Sequence, residues 1–209
     1  MILYEDMLDD IMPELSGCST EIAINALRNA CIELYRKSWI KRIELAPIEV
    51  VIGQNEYELP LEAGSQIVGI VSAYKDEKKL DPISEDMFNR YPYDWTTQTG
   101  EITGYLQTAA NLLAVYRIPD KTGIIKVTAI VAPTRDSDSI DQDVYDMYSE
   151  GIAAGAKARV MAMPKRPYTD AVASAMYRGQ FTEVLSQAKW AARKSLVSSQ
   201  LTVARRRVF

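Results

Sequence analysis

The sequence predicts an α+β protein: a helical bundle of N-terminal helices and two long C-terminal helices, with an inserted antiparallel β domain and an extended C-terminal arm. Three observations predict this fold, and two of them are changes in the spacing of apolar residues. Helical spacing gives way to alternation near Trp39 and returns near Ile140. The third is charge. Residues 184–209 carry six Lys or Arg and no Asp or Glu, although the whole chain has a net charge of −4. We therefore expect the acidic body and the basic end to have separate roles.

The changes of period also predict the domain boundaries. The helical bundle domain is expected over residues 1–39 and 140–197, the β domain over residues 40–139, and an extended tail over residues 198–209. A chain of 209 residues that is 47% hydrophobic can bury a core of its own. Residues 1–183 hold 18 Lys or Arg against 28 Asp or Glu, so the body is not expected to bind DNA tightly.

Two helices are expected before the β domain. The first is a short amphipathic helix that Pro13 ends, and its apolar positions are Leu3, Met7, Leu8 and Ile11. Ser19 or Thr20 is expected to cap the second. Its buried stripe is predicted to be Ala23, Leu27, Ala30 and Leu34.

Four cations cluster around the end of this second helix: Arg36, Lys37, Lys41 and Arg42. Cations complement the exposed carbonyl groups at a helix C-terminus. The cluster is therefore interpreted as structural, with a binding patch as the alternative.

The stretch from residue 43 to residue 133 has the alternation and turn residues of β-structure. Strands are expected around residues 48–52, 57–59, 67–74, 112–118 and 124–132. Residues 84–104 are less regular, with a short helix expected at 85–89 and aromatic residues at 91–95. Four acidic residues against Arg90 in this stretch would repel phosphate, so loop packing or a protein contact is favoured over base stacking.

An acidic run follows the β domain, and it consists of Asp136, Asp138, Asp141, Asp143, Asp146 and Glu150. A calcium loop would need a ligand and then glycine where the chain has Ile140 and Asp141. The run is interpreted instead as a solvated linker that enters an acidic helix N-terminus and gives an electronegative surface.

The helix that begins in this run carries a stripe of small residues: Gly151, Gly155, Ala158 and Ala162. Small residues let another backbone approach closely, so we predict tight packing inside the bundle, with an intersubunit seam as the alternative. Pro164 and Pro167 are expected to end this helix and Thr169 to cap the next. That last helix should run for about 27 residues, or about 40 Å, to Leu196.

Candidate catalytic chemistry is scarce. The chain has no histidine, which excludes a Ser-His-Asp triad, a Cys-His pair and an HExxH zinc site. Two cysteines make no zinc ribbon, and Gly155-Ala156-Lys157 does not fit a phosphate loop. We predict a protein that is not an enzyme and has no cofactor or metal, with a hydrolase that uses carboxylates as a remote alternative.

The sequence also bears on the cellular location of the protein. Acidic residues near the N-terminus argue against a signal peptide. The sequence has no run of 18 apolar residues, so no membrane span is expected. Two cysteines so placed are typical of a reducing, cytoplasmic setting.

Several segments, in order, resemble the head-to-tail adaptor (connector or neck) proteins of tailed phages, which are similar to tail tubular protein A of short-tailed phages. They are MPELSGC at 12–18, ALRNACIEL at 26–34, Ser38-Trp39, GQNEYELP at 53–60, LDPISE at 80–85, YPYDW at 91–95 with Gly100, and AGAKARVMAMP at 154–164. The resemblance spans nearly the whole chain, and it depends on the order of these segments.

This resemblance implies a structural virion protein, made in the host cytoplasm, that forms a ring of about twelve copies between the portal protein and the tail nozzle protein. DNA would pass through the ring without specific binding. The C-terminal segment would dock on the portal. By position, the docking residues are Leu196, Leu201, Val203, Arg205, Arg206, Arg207, Val208 and Phe209. The alternative is a nucleic-acid-binding protein that uses the same basic arm.

Overall fold

The structure is a computed structural model that describes residues 1–84 and 97–196. The chain divides into two compact units: a terminal unit of Met1–Ile40 and Asp141–Phe209, and a central unit of Lys41–Ile140. The short helix expected at 85–89, the aromatic segment at 91–95 and the tail at 198–209 lie outside the described residues.

The secondary structure of the described residues is as follows. The strands are Ile2–Leu3 (β1), Arg42–Glu44 (β2), Ile48–Val50 (β3), Glu56–Glu58 (β4), Ser65–Lys75 (β5), Lys78–Lys79 (β6), Asp81–Pro82 (β7), Thr99–Gly100 (β8), Gly104–Ala109 (β9), Leu112–Tyr116 (β10), Ile118–Pro119 (β11), Gly123–Pro133 (β12) and Ser139–Ile140 (β13). The α-helices are Thr20–Ser38 (α1), Gln142–Met161 (α2) and Ala171–Leu196 (α3), and two 3-10 helices span Glu5–Asp10 and Met12–Glu14.

The predicted fold class, a helical bundle carrying an inserted β domain, is wrong. The described residues form thirteen strands in four sheets but only three α-helices and two 3-10 helices, so the fold is rich in β-structure. Nine of these strands are two or three residues long. Hydrophobic alternation needs about four residues to show itself, so the sequence pattern underestimates the strands.

The largest sheet of the central unit is organised around β12. This strand pairs antiparallel with β5 from Ile125 opposite Lys75 to Pro133 opposite Ser65, and its other edge pairs with β2 and β3. A second sheet has the order β4-β10-β9-β7. The pairs β7–β9 and β8–β11 are parallel. The sheets are therefore mixed, whereas antiparallel pairing throughout was expected.

Side chains from these strands meet in one apolar core. Leu113 of β10 and Ile125 of β12 are fully buried in it, and Tyr57, Leu59 and Ile67 pack in the same cluster. Burial of such side chains is the main stabilising contribution to a unit of this size.

The N-terminal segment of the terminal unit differs from expectation. Residues 2–14 form β1 and the two 3-10 helices, not an amphipathic α-helix. Met7 N–H donates to the carbonyl oxygen of Tyr4, and Ile11 N–H to that of Leu8, which is the three-residue step of a 3-10 helix. Pro13 has no N–H to continue an α-helix. Tyr4, Met7 and Ile11 are nevertheless buried.

The N-terminal caps of α1 and α3 can be compared with the predicted ones. Ser19, one of the two predicted candidates, is the N-cap residue of α1, but its side chain makes no capping hydrogen bond. The predicted stripe of Ala23, Leu27, Ala30 and Leu34 is buried. The capping of α3 by Thr169 is wrong. Asp170 caps this helix, because its Oδ1 accepts the N–H groups of Val172 and Ala173, each at 2.9 Å. At 26 residues, α3 has close to the predicted length.

Candidate functional site

A groove of about 780 Å³ is lined by all three α-helices of the terminal unit. Five cations line it: Arg36, Lys37, Arg159, Arg178 and Lys189. Among the described residues that line this groove, Glu33 alone carries a negative charge. The apolar part of the lining includes Trp39, Phe181 and Leu185. We call this feature the basic groove, and it is positive on a chain whose net charge is −4.

Glu33 holds two of the cations in place. Lys37 Nζ lies 2.5 Å from Glu33 Oε1, and the Arg159 guanidinium donates to Glu33 Oε2. Arg159 also donates to the carbonyl oxygen of Gly155 at 2.5 Å and lies 5.3 Å from the centre of the Phe181 ring. Burial raises the pKa of Glu33, but Lys37, Arg159 and Arg178 together hold it below its ordinary value. The single carboxylate is thus ionised, and the groove keeps an excess of positive charge.

Trp39 lies at one side of the groove in an uncommon backbone conformation. It follows the last residue of α1 with φ of 62° and ψ of 33°, in the left-handed region, and its N–H donates to the carbonyl oxygen of Tyr35 at 3.0 Å. Glycine usually takes this position, because a side chain there costs about 1 kcal/mol. The indole is 45% exposed.

The predicted stripe of small residues lies largely against α3. A Cβ added at Gly151 would lie 2.5 Å from Val184 Cγ1, and one at Gly155 would lie 2.8 Å from Phe181 Cδ2. The Ser174 hydroxyl reaches the carbonyl oxygen of Ala158 at 2.8 Å. The last member of the stripe, Ala162, is exposed just beyond α2 and lines the basic groove.

Carboxylates gather on another part of the terminal unit, around Tyr145. Tyr145 Oη donates to Asp10 Oδ2 at 2.6 Å, and this bond, desolvation and the charges of Asp10, Asp146 and Asp9 raise the pKa of Tyr145 to about 12. Asp10 and Glu150 line one hollow of about 280 Å³. We call the exposed carboxylates Asp9, Asp10, Asp146 and Glu150 the acidic face.

Glu14, which also lines this hollow, is paired with Lys157 and Tyr177. Lys157 Nζ lies 2.7 Å from Glu14 Oε1 and 5.3 Å from the centre of the Tyr177 ring, and Tyr177 Oη donates to Glu14 Oε2. The hydrogen bonds from Lys157 and then from Tyr177 lower the pKa of Glu14. Three segments that are distant in sequence are joined by this one carboxylate.

This pairing predicts a pH dependence of stability. Because the pKa of Glu14 is lowered in the folded chain, its contribution is present above the ordinary value of 4.5 and is lost as the pH falls through the lowered value. In Glu14→Gln, the drop in urea midpoint between pH 6 and pH 3.5 should be smaller than in the wild type. Tyr177→Phe removes one of the two donors and should give an intermediate drop. Equal drops in all three proteins would contradict the role of Glu14.

The structure leaves most of the predicted docking residues untested. Leu196 is the last residue of α3, whereas Leu201, Val203, Arg205, Arg206, Arg207, Val208 and Phe209 lie outside the described residues. The sequence does not predict the basic groove, although it places two of its residues, Arg36 and Lys37, at the end of α1. One signal was available, because Arg178 and Lys189 are eleven residues apart and therefore lie on the same side of α3.

The rest of the chemistry is sparse. Within residues 1–84 and 97–196, no group of three or more His, Cys, Asp or Glu side chains is placed to hold a metal ion. Over the same ranges, none of the helices combines the length and the apolar character that a bilayer span requires. Cys18 and Cys31 are free thiols, both buried.

The terminal unit thus carries two surfaces of opposite charge. Residues 3–206 match the SU10 adaptor protein family, and the chain belongs to that family. Membership assigns it a structural adaptor role in a phage virion, in contact with other virion proteins such as portal and tail proteins. The family is a structural component of phages and is not known as an enzyme family. No curated protein matches the chain.

Proposed function

We propose that this chain is a head-to-tail adaptor that forms a ring of about twelve copies between the portal and the tail nozzle, with DNA passing through the ring. The match of residues 3–206 to the adaptor family carries the proposal. The number of copies follows the resemblance to connector proteins similar to tail tubular protein A. Made in the host cytoplasm, the protein would end in the neck of the virion.

The charge of the body supports a channel for DNA that moves. A wall rich in cations would bind phosphates and release counterions, and DNA would be held in place. Residues 1–183 have ten more acidic than basic residues, so a ring of such bodies would repel the DNA on balance. DNA could then slide during packaging and ejection.

The tail over residues 198–209 is proposed to dock on the portal. It follows α3, which ends at Leu196 and has a length of about 39 Å at 1.5 Å per residue. The tail mixes Leu201, Val203, Val208 and Phe209 with three arginines. A segment of this kind can order on a partner by placing apolar side chains in grooves and guanidinium groups on carboxylates.

Deletion of residues 198–209 tests this role. The shortened chain, mixed with purified portal rings of the same phage, should bind at least tenfold more weakly, because the apolar anchors and three charges are lost. Sedimentation velocity or electron micrographs of the mixture would report binding. Undiminished binding would exclude a docking role for the tail.

Two further variants divide that loss between its causes. Leu201→Ser with Val203→Ser removes apolar contact, and replacement of Arg205, Arg206 and Arg207 by glutamine removes charge. Both should weaken binding to the portal. A micromolar affinity of the full chain for duplex DNA, with a steep dependence on salt that the glutamine variant abolishes, would support the nucleic-acid-binding alternative instead.

A further inference from the structure

The basic groove and the acidic face of the terminal unit have opposite charge and lie on opposite sides of one helix. Both involve α2, since Glu150 belongs to the acidic face and Arg159 lines the basic groove. These two residues are nine positions apart, or two and a half turns, which places them on opposite sides of the helix. One copy therefore presents a positive surface on one side and a negative surface on the other.

The two surfaces also match in the number of their charges. Among the described residues that line it, the basic groove has five cations against Glu33, a formal excess of four positive charges. The acidic face has four carboxylates: Asp9, Asp10, Asp146 and Glu150. Opposite potentials of similar size on two different surfaces are what a head-to-tail contact between identical copies requires.

The lining of the groove fits a protein partner better than it fits phosphate. Phe181, Leu185 and the exposed Trp39 indole offer apolar contact beside the charges. Exposed aromatic residues next to arginine are typical of protein interfaces. A phosphate chain would also meet the ionised carboxylate of Glu33 inside the groove.

We propose that the basic groove of one copy receives the acidic face of the next copy. The proposal depends on the proposed ring and names the surfaces that join its subunits. Because the two surfaces are different and lie on opposite sides of α2, each copy can bind two neighbours at once. Such heterologous contacts give a ring when the rotation between neighbouring copies closes, and an open filament when it does not.

Charge reversal on each surface tests the pairing. The groove-reversed variant carries Arg178→Glu and Lys189→Glu, both at exposed positions of α3. The face-reversed variant carries Asp146→Lys and Glu150→Lys, both at exposed positions of α2. Lys189→Glu alone is a milder version, in case the double change on α3 affects folding. Circular dichroism should show native helix content in each.

Sedimentation equilibrium from 1 µM to 1 mM protein, in 50 mM and 300 mM salt, gives the association constant. The wild type should form species larger than a dimer, more weakly at the higher salt because the contact is ionic. Each reversed variant alone should associate about a hundredfold more weakly. An equal mixture of the two should recover association as far as a heterodimer, because the unchanged groove of the face-reversed variant then meets the unchanged acidic face of the groove-reversed variant.

Three results would overturn the proposal. They are a wild type that stays monomeric up to 1 mM, reversed variants that associate as the wild type does, and a mixture that does not recover. A parallel fluorescence anisotropy titration measures the affinity for a 20-base-pair DNA duplex. If the wild type binds the duplex but does not self-associate, and only the groove-reversed variant loses this binding, the groove would be assigned to nucleic acid instead.

Binding to portal rings separates this proposal from the proposed function. The reversed surfaces lie outside residues 198–209, so each reversed variant should keep single-copy binding to the portal while it fails to form rings. Suppose that tail deletion abolishes portal binding while the reversed variants self-associate as strongly as the wild type. That result would leave the adaptor role intact and refute only this interface. Failure of the wild type to bind the portal at all would refute the adaptor role.

Discussion

Gly151→Ala is expected to lower the free energy of unfolding by about 2 kcal/mol, although alanine is the better helix former. The new Cβ would lie 2.5 Å from Val184 Cγ1 and 2.9 Å from both Val184 Cβ and Val184 Cγ2. Rotation about χ1 cannot move the Cβ of Val184 away, so α2 and α3 would have to separate. Urea unfolding followed by circular dichroism at 222 nm reports this loss, because α1, α2 and α3 dominate that signal.

Gly179→Ala is the matched control for this change. Gly179 belongs to α3, and an added Cβ there meets no atom within 4 Å. The same substitution should therefore stabilise the chain by about 0.5–1 kcal/mol through helix propensity. Val184→Ala combined with Gly151→Ala should recover part of the loss. A Gly151→Ala variant as stable as the Gly179→Ala variant would mean that α2 and α3 do not pack closely in solution.

Leu113→Ala is expected to cost about 3 kcal/mol in the free energy of unfolding of the central unit. The Leu113 side chain is fully buried in the core that the two larger sheets share. Its removal leaves a cavity, and the backbone of β10 is held by pairing with β4 and β9. Hydrogen exchange of the β10 and β12 amides measures this loss directly within the unit.

Leu112→Ala is the control, because it makes the same change one residue earlier in the same strand. Leu112 is only half-buried, and the pairing with β9 is irregular between Leu112 and Leu113. Its loss should cost at most half as much, in proportion to the apolar area that it buries. Equal losses at both positions would mean that Leu113 buries no more apolar area than Leu112 in solution.

Regular helices were the most predictable part of this chain. The stripe of Ala23, Leu27, Ala30 and Leu34 has a clear period, and all four residues are buried in α1. The sequence narrows the N-cap of α1 to Ser19 or Thr20, and it is Ser19. The cap of α3 could not, since Thr169 and Asp170 are equally good candidates. Only the geometry shows Asp170 accepting the first amide groups, while the Thr169 hydroxyl bonds to the carbonyl oxygen of Met163.

The strands were less predictable for a physical reason. A strand of two residues such as β8 or β11 forms because its partner lies beside it, and its own sequence has no period to detect. Many such strands turn the expected inserted domain into a fold dominated by several small sheets. Long strands such as β5 and β12 contain enough apolar residues to be predicted, and strands were expected at residues 67–74 and 124–132.

The basic groove depends on tertiary packing in the same way. Glu33 and Arg159 are 126 residues apart in sequence, and Arg178 comes from a third helix. Their charges add up only where α1, α2 and α3 meet. At the end of α1, Arg36 and Lys37 are explained equally well by the helix dipole, so sequence alone favoured a structural role for them.

The burial of both cysteines makes this protein convenient for spectroscopy. Desolvation raises the pKa of the Cys18 and Cys31 thiols, so little reactive thiolate forms at neutral pH. A cysteine introduced at an exposed position such as Gly179 should therefore react with a maleimide dye or a spin label much faster than either native thiol. Distances between labelled copies could then be measured without first replacing the native cysteines.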